Sequence, residues 1–252
     1  MLQVGAGAVG SSTIYFLGLM GASAELLVLD HDVVKVENLD RSLLFGLDDA
    51  SPHEIPKVEA VVRAAESFPA LRVHPVRSRW ADYVAAGYRV GEFDLALALA
   101  NEDHVWSAMA EAVLPLTLQA TTDRDWGVAF GAHSPGTGYC LRCRFPPDTP
   151  VMPTICAEGE IEIESAAGQP ETVHASLPFQ SAAAAGLLAV EIDKLALGPA
   201  AGGPNYVEGR IDVTENVLSL HRTPSRACPA CRNFPEDLWA VKYERTRFAS
   251  FR

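Results

Sequence analysis

The chain has 252 residues, of which 48% are apolar and 21% charged, a balance that suits a folded globular protein and excludes a disordered one. A formal net charge of −12 argues against nucleic acid as a partner, because a phosphate backbone would be repelled overall. A membrane span is not expected either, since the most apolar run, "AAAAGLLAVEIDKLALG", is interrupted by Glu191, Asp193 and Lys194.

The first forty-five residues organise the rest. "LQVGAGAVG" reads as a short apolar strand running into Gly5, Gly7 and Gly10, the G-x-G-x-x-G spacing. "SSTIYFLGLMG" follows as a helix whose Ile14, Leu17 and Leu19 are expected to pack on a sheet. "AELLVLD" is a second buried strand, and it ends in Asp30, twenty residues after the last glycine. Such a unit suits a nucleotide. Glycines admit phosphates close to the backbone, the helix N-terminus offers unpaired N–H groups, and an acid ending the second strand can accept ribose hydroxyls. The competing reading is a purely structural tight turn.

Further along, a helix is expected from about Pro56, with Val58, Val61, Val62 and Ala65 on its apolar face and Pro56 in the first helical position. "LRVHPVRSRW" is a third strand, placed at an edge or a bulge by Pro75. A short helix, a fourth strand ("FDLALALA"), another helix opening on "NEDH", a fifth strand ("LTLQATTD") and a sixth ("WGVAFGAHSP") complete an alternation that implies a parallel sheet. From Ser134 the texture changes to a long proline- and glycine-rich connection without helical period. A helix over Ala182–Leu197 covers the sheet, and "YVEGRIDVTENVLSLHRTP" reads as two strands that extend it in antiparallel sense. The expectation is one domain over 1–252, with residues 1–133 forming the nucleotide-binding part and 134–252 the connection, cysteine pairs and last strands.

Two constellations carry chemistry. Four of the five cysteines form C-x-x-C pairs, Cys140 with Cys143 and Cys228 with Cys231. Two such pairs can close a tetrahedral, purely structural Zn²⁺ site. Disulfides are disfavoured in a chain whose expected compartment is the cytoplasm, given no basic and apolar leader. A redox role is disfavoured because neither pair opens a thioredoxin-like helix. The other constellation comes after the second strand: "DHDVVKVENLDRSLLF" supplies Asp30, Asp32, Asn38, Arg41 and Phe45, with Lys57 a short loop later.

Here the sequence resembles the MoeB/ThiF family, enzymes that activate ubiquitin-like and sulfur-carrier proteins. The family pattern is D-x-D-x-V-x-x-S-N-L-x-R-Q-x-L-F followed by a lysine. The chain matches it at Asp30, Asp32, Val34, Asn38, Leu39, Arg41, Leu44 and Phe45, and departs with Glu37 for the serine and Ser42 for the glutamine. The resemblance implies a Rossmann-like α/β fold, mostly parallel, with an antiparallel C-terminal extension, the same zinc pairs, and a homodimer. It implies ATP-dependent adenylation of the C-terminal carboxylate of a small ubiquitin-like or sulfur-carrier protein, or of a peptide, with Mg²⁺.

On that resemblance Gly5, Gly7 and Gly10 would admit the phosphates and Asp30 the ribose, with Asp32 beside it. Asn38, Arg41 and Lys57 would bind the triphosphate, Arg41 and Lys57 stabilising the charge that develops during transfer. Cys156, in the segment that crosses the nucleotide in the family, would take the activated acyl group; the bland alternative is a small hydrophobe. Where the family carries T-D-N, this chain has Asn101, with Asp103 just after, so the metal-binding aspartate is replaced by an amide. The family's arginine-bearing helix ahead of the first strand is also not among these residues. Both departures favour a rival reading, a catalytically degenerate subunit or scaffold of a heterodimer. A weaker rival, an NAD-dependent oxidoreductase, rests only on the glycines and Asp30.

Overall fold

The computed structural model describes residues 1–87, 93–100, 105–112, 116–122, 127–133, 140–144, 160–164, 170–174, 177–197, 206–210 and 217–221. For 160–164, 170–174, 196–197, 206–210 and 217–221 the description is of the backbone only. The elements run β1 (Leu2–Val4), α1 (Ala8–Leu19), β2 (Ala24–Leu29), α2 (Leu47–Ala50), α3 (Lys57–Ala65), β3 (Leu71–Val76), α4 (Trp80–Ala85), β4 (Ala96–Ala98) and α5 (Val105–Glu111). After these come β5 (Thr117–Thr122), β6 (Gly127–His133), α6 (Leu141–Arg144), β7 (Glu160–Glu164), β8 (Pro170–His174), α7 (Pro178–Leu197), β9 (Tyr206–Arg210) and β10 (Val217–His221).

Eight strands form one sheet in the order β10-β9-β6-β5-β4-β1-β2-β3. The five strands β3-β2-β1-β4-β5 are parallel. The central strands β1 and β4 are buried throughout, as strands covered on both sides must be, whereas of β3 only Leu71 is buried. Leu26, Val28, Leu95, Leu97 and Leu118 join one core cluster with Ile14 and Leu17 of α1, Val58 and Val61 of α3, and Leu188 and Ile192 of α7. Leu2, Val4, Leu29, Ala96 and Ala98 join the other with Trp80 and Tyr83 of α4 and Val105 and Met109 of α5. α1 and α7 lie against each other on the first face. Pro75 sits on β3, which is the sheet's edge, where a residue lacking an N–H is tolerated.

The chain leaves β1 for β2 on one side, whereas β4 lies on the other. That reversal falls at the carboxyl ends of β1 and β4, the place where open α/β sheets bind ligands.

Several expectations need correction. The sixth strand is antiparallel to the fifth, not parallel. Only residues 123–126 separate the two, too few for the crossover that a parallel pair requires. Leu19 is 60% exposed rather than packed on the sheet, because five residues on from Ile14 it has turned away from the buried face of α1. α1 itself starts at Ala8, inside the glycine motif, and the covering helix starts at Pro178, four residues earlier than expected. Pro56 is the cap before α3, so Lys57, not Pro56, is the first helical residue. The long connection includes an antiparallel pair, β7 with β8, signalled by the alternation in "EIEIE".

Candidate functional site

The glycine turn is held in place from three directions. Gly5 has φ of +104°, open to glycine and strained for any other residue, and a Cβ there would come within 2.5 Å of the Ala100 nitrogen. Its N–H continues the ladder to Leu29 O at 2.8 Å, while Leu99 N–H reaches Val4 O at 2.8 Å on the other side. The turn therefore sits directly above the reversal in strand order. At Gly10 a Cβ would fall 2.2 Å from Gly5 O, so the first turn of α1 can close onto β1 only with glycine in that place. Gly7, the cap of α1, makes no such demand: a Cβ there meets nothing within 4 Å, and no side chain caps the helix. Among the described residues the N–H groups of Ala8, Val9 and Gly10 have no acceptor. They are the unpaired donors of a helix N-terminus, the arrangement that receives anions.

Asp30 ties this turn to the segment beyond β2. Its Oδ2 accepts from Ala6 N–H at 2.7 Å and its Oδ1 from Asp32 N–H at 2.9 Å. A carboxylate has about four lone-pair positions, so acceptor capacity remains for ribose hydroxyls. Asp32 Oδ2 accepts from Lys57 Nζ at 2.8 Å, and Asp32 O accepts from Lys57 N–H at 2.9 Å. His31 Nε2 lies 3.3 Å from Asp32 Oδ1. Partial burial pushes the Asp32 carboxyl up, but the hydrogen bond and charge of Lys57, with His31 and Lys35 behind them, outweigh it and hold the group below the usual carboxylate range. Asp30, His31 and Asp32 bring their ligand atoms within 4.8 Å of one another.

The loop from Val34 to Ile55 is folded onto itself. Asn38 Oδ1 accepts from Lys35 N–H at 3.0 Å and closes the 3-10 turn Val36–Asn38. Arg41 donates from Nη1 to Glu37 O at 2.6 Å and to Asp40 Oδ1 at 3.1 Å, and only 12% of its side chain is exposed. Phe45 is buried in the same core cluster as Val58 and Val61 of α3. Val34 N–H pairs with Ile55 O at 2.8 Å, bringing the start and end of the loop together. Asp49, 1% exposed, accepts from Gly46 N–H at 2.7 Å and pairs with Arg63 of α3.

The structure thus joins Gly5, Gly7 and Gly10 with Asp30, Asp32 and Lys57 in one hydrogen-bonded set. Asn38 and Arg41 form a second, neighbouring in sequence; among the described residues no hydrogen bond or ion pair links Arg41 to the first set. Asn101, Asp103, Cys156, Cys228 and Cys231 lie outside the described residues. Cys140 is buried and immediately precedes α6, a helix of only four residues; Cys143, half-buried, is the third residue of that helix. The Leu141 N–H between them donates to Nδ1 of buried His133 at 3.3 Å, which fixes the cysteine pair against β6. Sequence reasoning overlooked Gln3 and Asp49. Gln3 is fully buried, and its Nε2 donates to Gly5 O at 2.9 Å and Gly10 O at 3.2 Å; a polar residue inside an apolar strand was the available signal.

Strand, glycine turn, helix and a strand-ending acid at the reversal of a parallel sheet define a Rossmann-like α/β domain, the arrangement in which such sheets receive nucleotides. More narrowly, the chain belongs to the ThiF family, whose profile matches residues 1–233. It is 31% identical over 164 residues to mouse "Adenylyltransferase and sulfurtransferase MOCS3", covering 64% of this chain and 35% of that protein. It is 26% identical over 254 residues to "Sulfur carrier protein adenylyltransferase" of Thermus thermophilus, covering 97% of this chain and 86% of that one. Its fold is similar to that of E. coli MccB solved with ATP, with a TM-score of 0.68 at 19% identity, covering 91% of this chain and 65% of MccB. The chain therefore spans about a third of the mouse relative and somewhat under two thirds of MccB. Among the described residues no helix is long and apolar enough to cross a membrane.

The Asp32–Lys57 pair leaves a pH signature. A carboxyl held below its unfolded value stabilises the fold above that unfolded value, and the contribution disappears as pH falls through the folded one. Asp32 is 52% exposed, so solvent screening keeps the contribution under about 1 kcal/mol. Thermal melts taken from about pH 7 down to about pH 2.5 should show Asp32→Asn losing stability less steeply than the wild type below about pH 4. Equal slopes would contradict the pairing.

Proposed function

We propose that the chain is an ATP-dependent adenylyltransferase that activates the C-terminal carboxylate of a small carrier protein or peptide. The observation that carries this reading is the joining of an anion-accepting helix N-terminus, through Asp30, to the Asp32–Lys57 pair at the reversal of the sheet. Membership of the ThiF family supports it, as do relatives named adenylyltransferases of sulfur carriers. "SAMP-activating enzyme E1" and structures of MccB bound to N-formylated MccA widen the class of acceptor to ubiquitin-like proteins and peptides.

In this reading the first-turn N–H groups of α1 take the phosphates and Asp30 takes the ribose. The incoming carboxylate oxygen forms a bond to the α-phosphorus as the bond to the pyrophosphate oxygen breaks. Lys57 would exchange its contact with Asp32 for the phosphates, and Arg41 its contact with Asp40 for the same negative charge. The half-exposed Asp32 carboxylate offers Mg²⁺ an oxygen donor once Lys57 leaves it, with Asn101 and Asp103 as further candidates; the ion would neutralise phosphate charge. In a second step the Cys156 sulfur would attack the acyl carbon of the adenylate, forming a thioester as the bond to the phosphate oxygen breaks and AMP leaves. The thiols of Cys140 and Cys143, three residues apart at the start of a short helix, suit half of a closed zinc site whose other half would be Cys228 and Cys231. Assembly as a homodimer belongs to the same proposal.

The second reading, an inactive partner subunit, is favoured by Asn101 in place of the aspartate. ATP–pyrophosphate exchange with carrier proteins ending in Gly-Gly separates the two. The adenylyltransferase gives carrier-dependent exchange, which Arg41→Ala and Lys57→Ala should each lower by about a hundredfold or more. Bound ATP without exchange for any carrier would favour the inactive subunit, and full exchange in both variants would remove their assigned roles. Metal analysis of the purified chain should give about one zinc per chain, and Cys140→Ser should abolish it; zinc-free protein would overturn the staple.

A further inference from the structure

A polar side chain in a strand covered on both faces is costly unless its hydrogen bonds are claimed. Gln3 stands in β1 between Leu2 and Val4 and is fully buried. Its orientation is fixed by chemistry: two carbonyl acceptors require the NH₂ end of the amide, since the reverse would set three oxygens together. Oε1 is left buried with no hydrogen-bond partner. Leucine would fill the same place on the apolar face without that penalty, so the two donated bonds are what this residue adds.

Both acceptors belong to the ends of the glycine turn. The peptide after Gly5 is held on its other side by Asp30, which accepts Ala6 N–H at 2.7 Å. The peptide after Gly10 is held on its other side by Gly7 O, which accepts Ser11 N–H at 2.8 Å. Between these two fixed peptides lie the donors of Ala8, Val9 and Gly10, which have no acceptor among the described residues.

We propose that Gln3 is a positioning residue for nucleotide binding: by bridging the carbonyls of Gly5 and Gly10 from beneath, it holds the turn so that the free donors of α1 meet a phosphate. This rests on the reading of the site as an ATP site. Gln3 touches no ligand itself and acts through the loop.

Gln3→Met keeps the side chain's length and removes both donors. Melting without nucleotide, and titrations with ATP and with adenosine, should be compared with the wild type. The melting temperature is expected to stay within about 5 °C, because a neutral hydrogen bond contributes modestly to a domain of this size. ATP affinity should fall roughly five- to tenfold while adenosine affinity changes by less than about twofold, since only phosphate contacts depend on the turn. Equal loss for both ligands, or none for ATP, would overturn the positioning role alone. A wild type that binds no ATP would overturn the site reading and this inference with it. Should Gln3→Met melt below the assay temperature, Gln3→Glu decides. Its buried carboxyl titrates well above the ordinary value and donates to a carbonyl only when protonated, so its ATP affinity should weaken more than that of the wild type between about pH 6 and about pH 8. An identical pH dependence would overturn the proposal.

Discussion

The carboxylate of Asp30 is the joint on which the site depends. One oxygen holds the backbone of the glycine turn and the other holds the first turn of chain beyond β2. Charge-assisted bonds of this kind contribute about 1.5–3 kcal/mol each, more than ordinary backbone pairs. They couple two segments that the sheet alone would leave independent: the loop that caps β1, and the loop that carries Asp32 toward Lys57. The glycine turn leaves β1 at the reversal in strand order and the other segment leaves the adjacent β2, so the coupling acts beside the place where a ligand would lie.

Around that joint the chain solves a packing problem. Twenty-seven residues lie between β2 and α3, a long connection for a compact domain, and polar along much of its length. It stays ordered because it has its own supports. Phe45 enters the core, Val34 pairs with Ile55, and buried Asp49 is met by Arg63 from α3. With the ends of the loop drawn together, Lys57 starts α3 beside Asp32 instead of pointing into solvent. Its ammonium is largely covered, with 12% of the side chain exposed, yet it is paired with a half-exposed carboxylate that a stronger anion can displace. Arg41 is similarly poised on Asp40, which is 63% exposed. The partners of both cations are exposed carboxylates in the loop that Asp30 ties to the glycine turn.

What could be read from the sequence was what is local in the chain. The glycine spacing, the strand before it, the helix after it and Asp30 at the next strand's end come from neighbours and from period. The match through Asn38, Arg41 and Phe45 pointed to one family because its spacing is set by a turn and a core residue. Contacts between distant residues were not legible: nothing in "LQV" says that Gln3 will find the carbonyls of Gly5 and Gly10, and Asp49 meets Arg63 only through tertiary folding. Other differences were readable and missed. Four residues between β5 and β6 already forbid a parallel pair, "EIEIE" already alternates, and Leu19 is already off the face shared by Ile14 and Leu17.

The mouth of the glycine turn is either shaped for phosphate, as proposed above, or no more than a tight turn. Gly7 separates the two, because its φ of −72° suits any residue and the space beside it is open. Gly7→Ala should therefore melt within about 4 °C of the wild type, the small loss reflecting alanine's poor fit at a helix cap. If phosphates enter there, the same methyl group should weaken ATP binding by about tenfold or more in a calorimetric titration. Undiminished ATP affinity in a chain of normal stability would contradict the account.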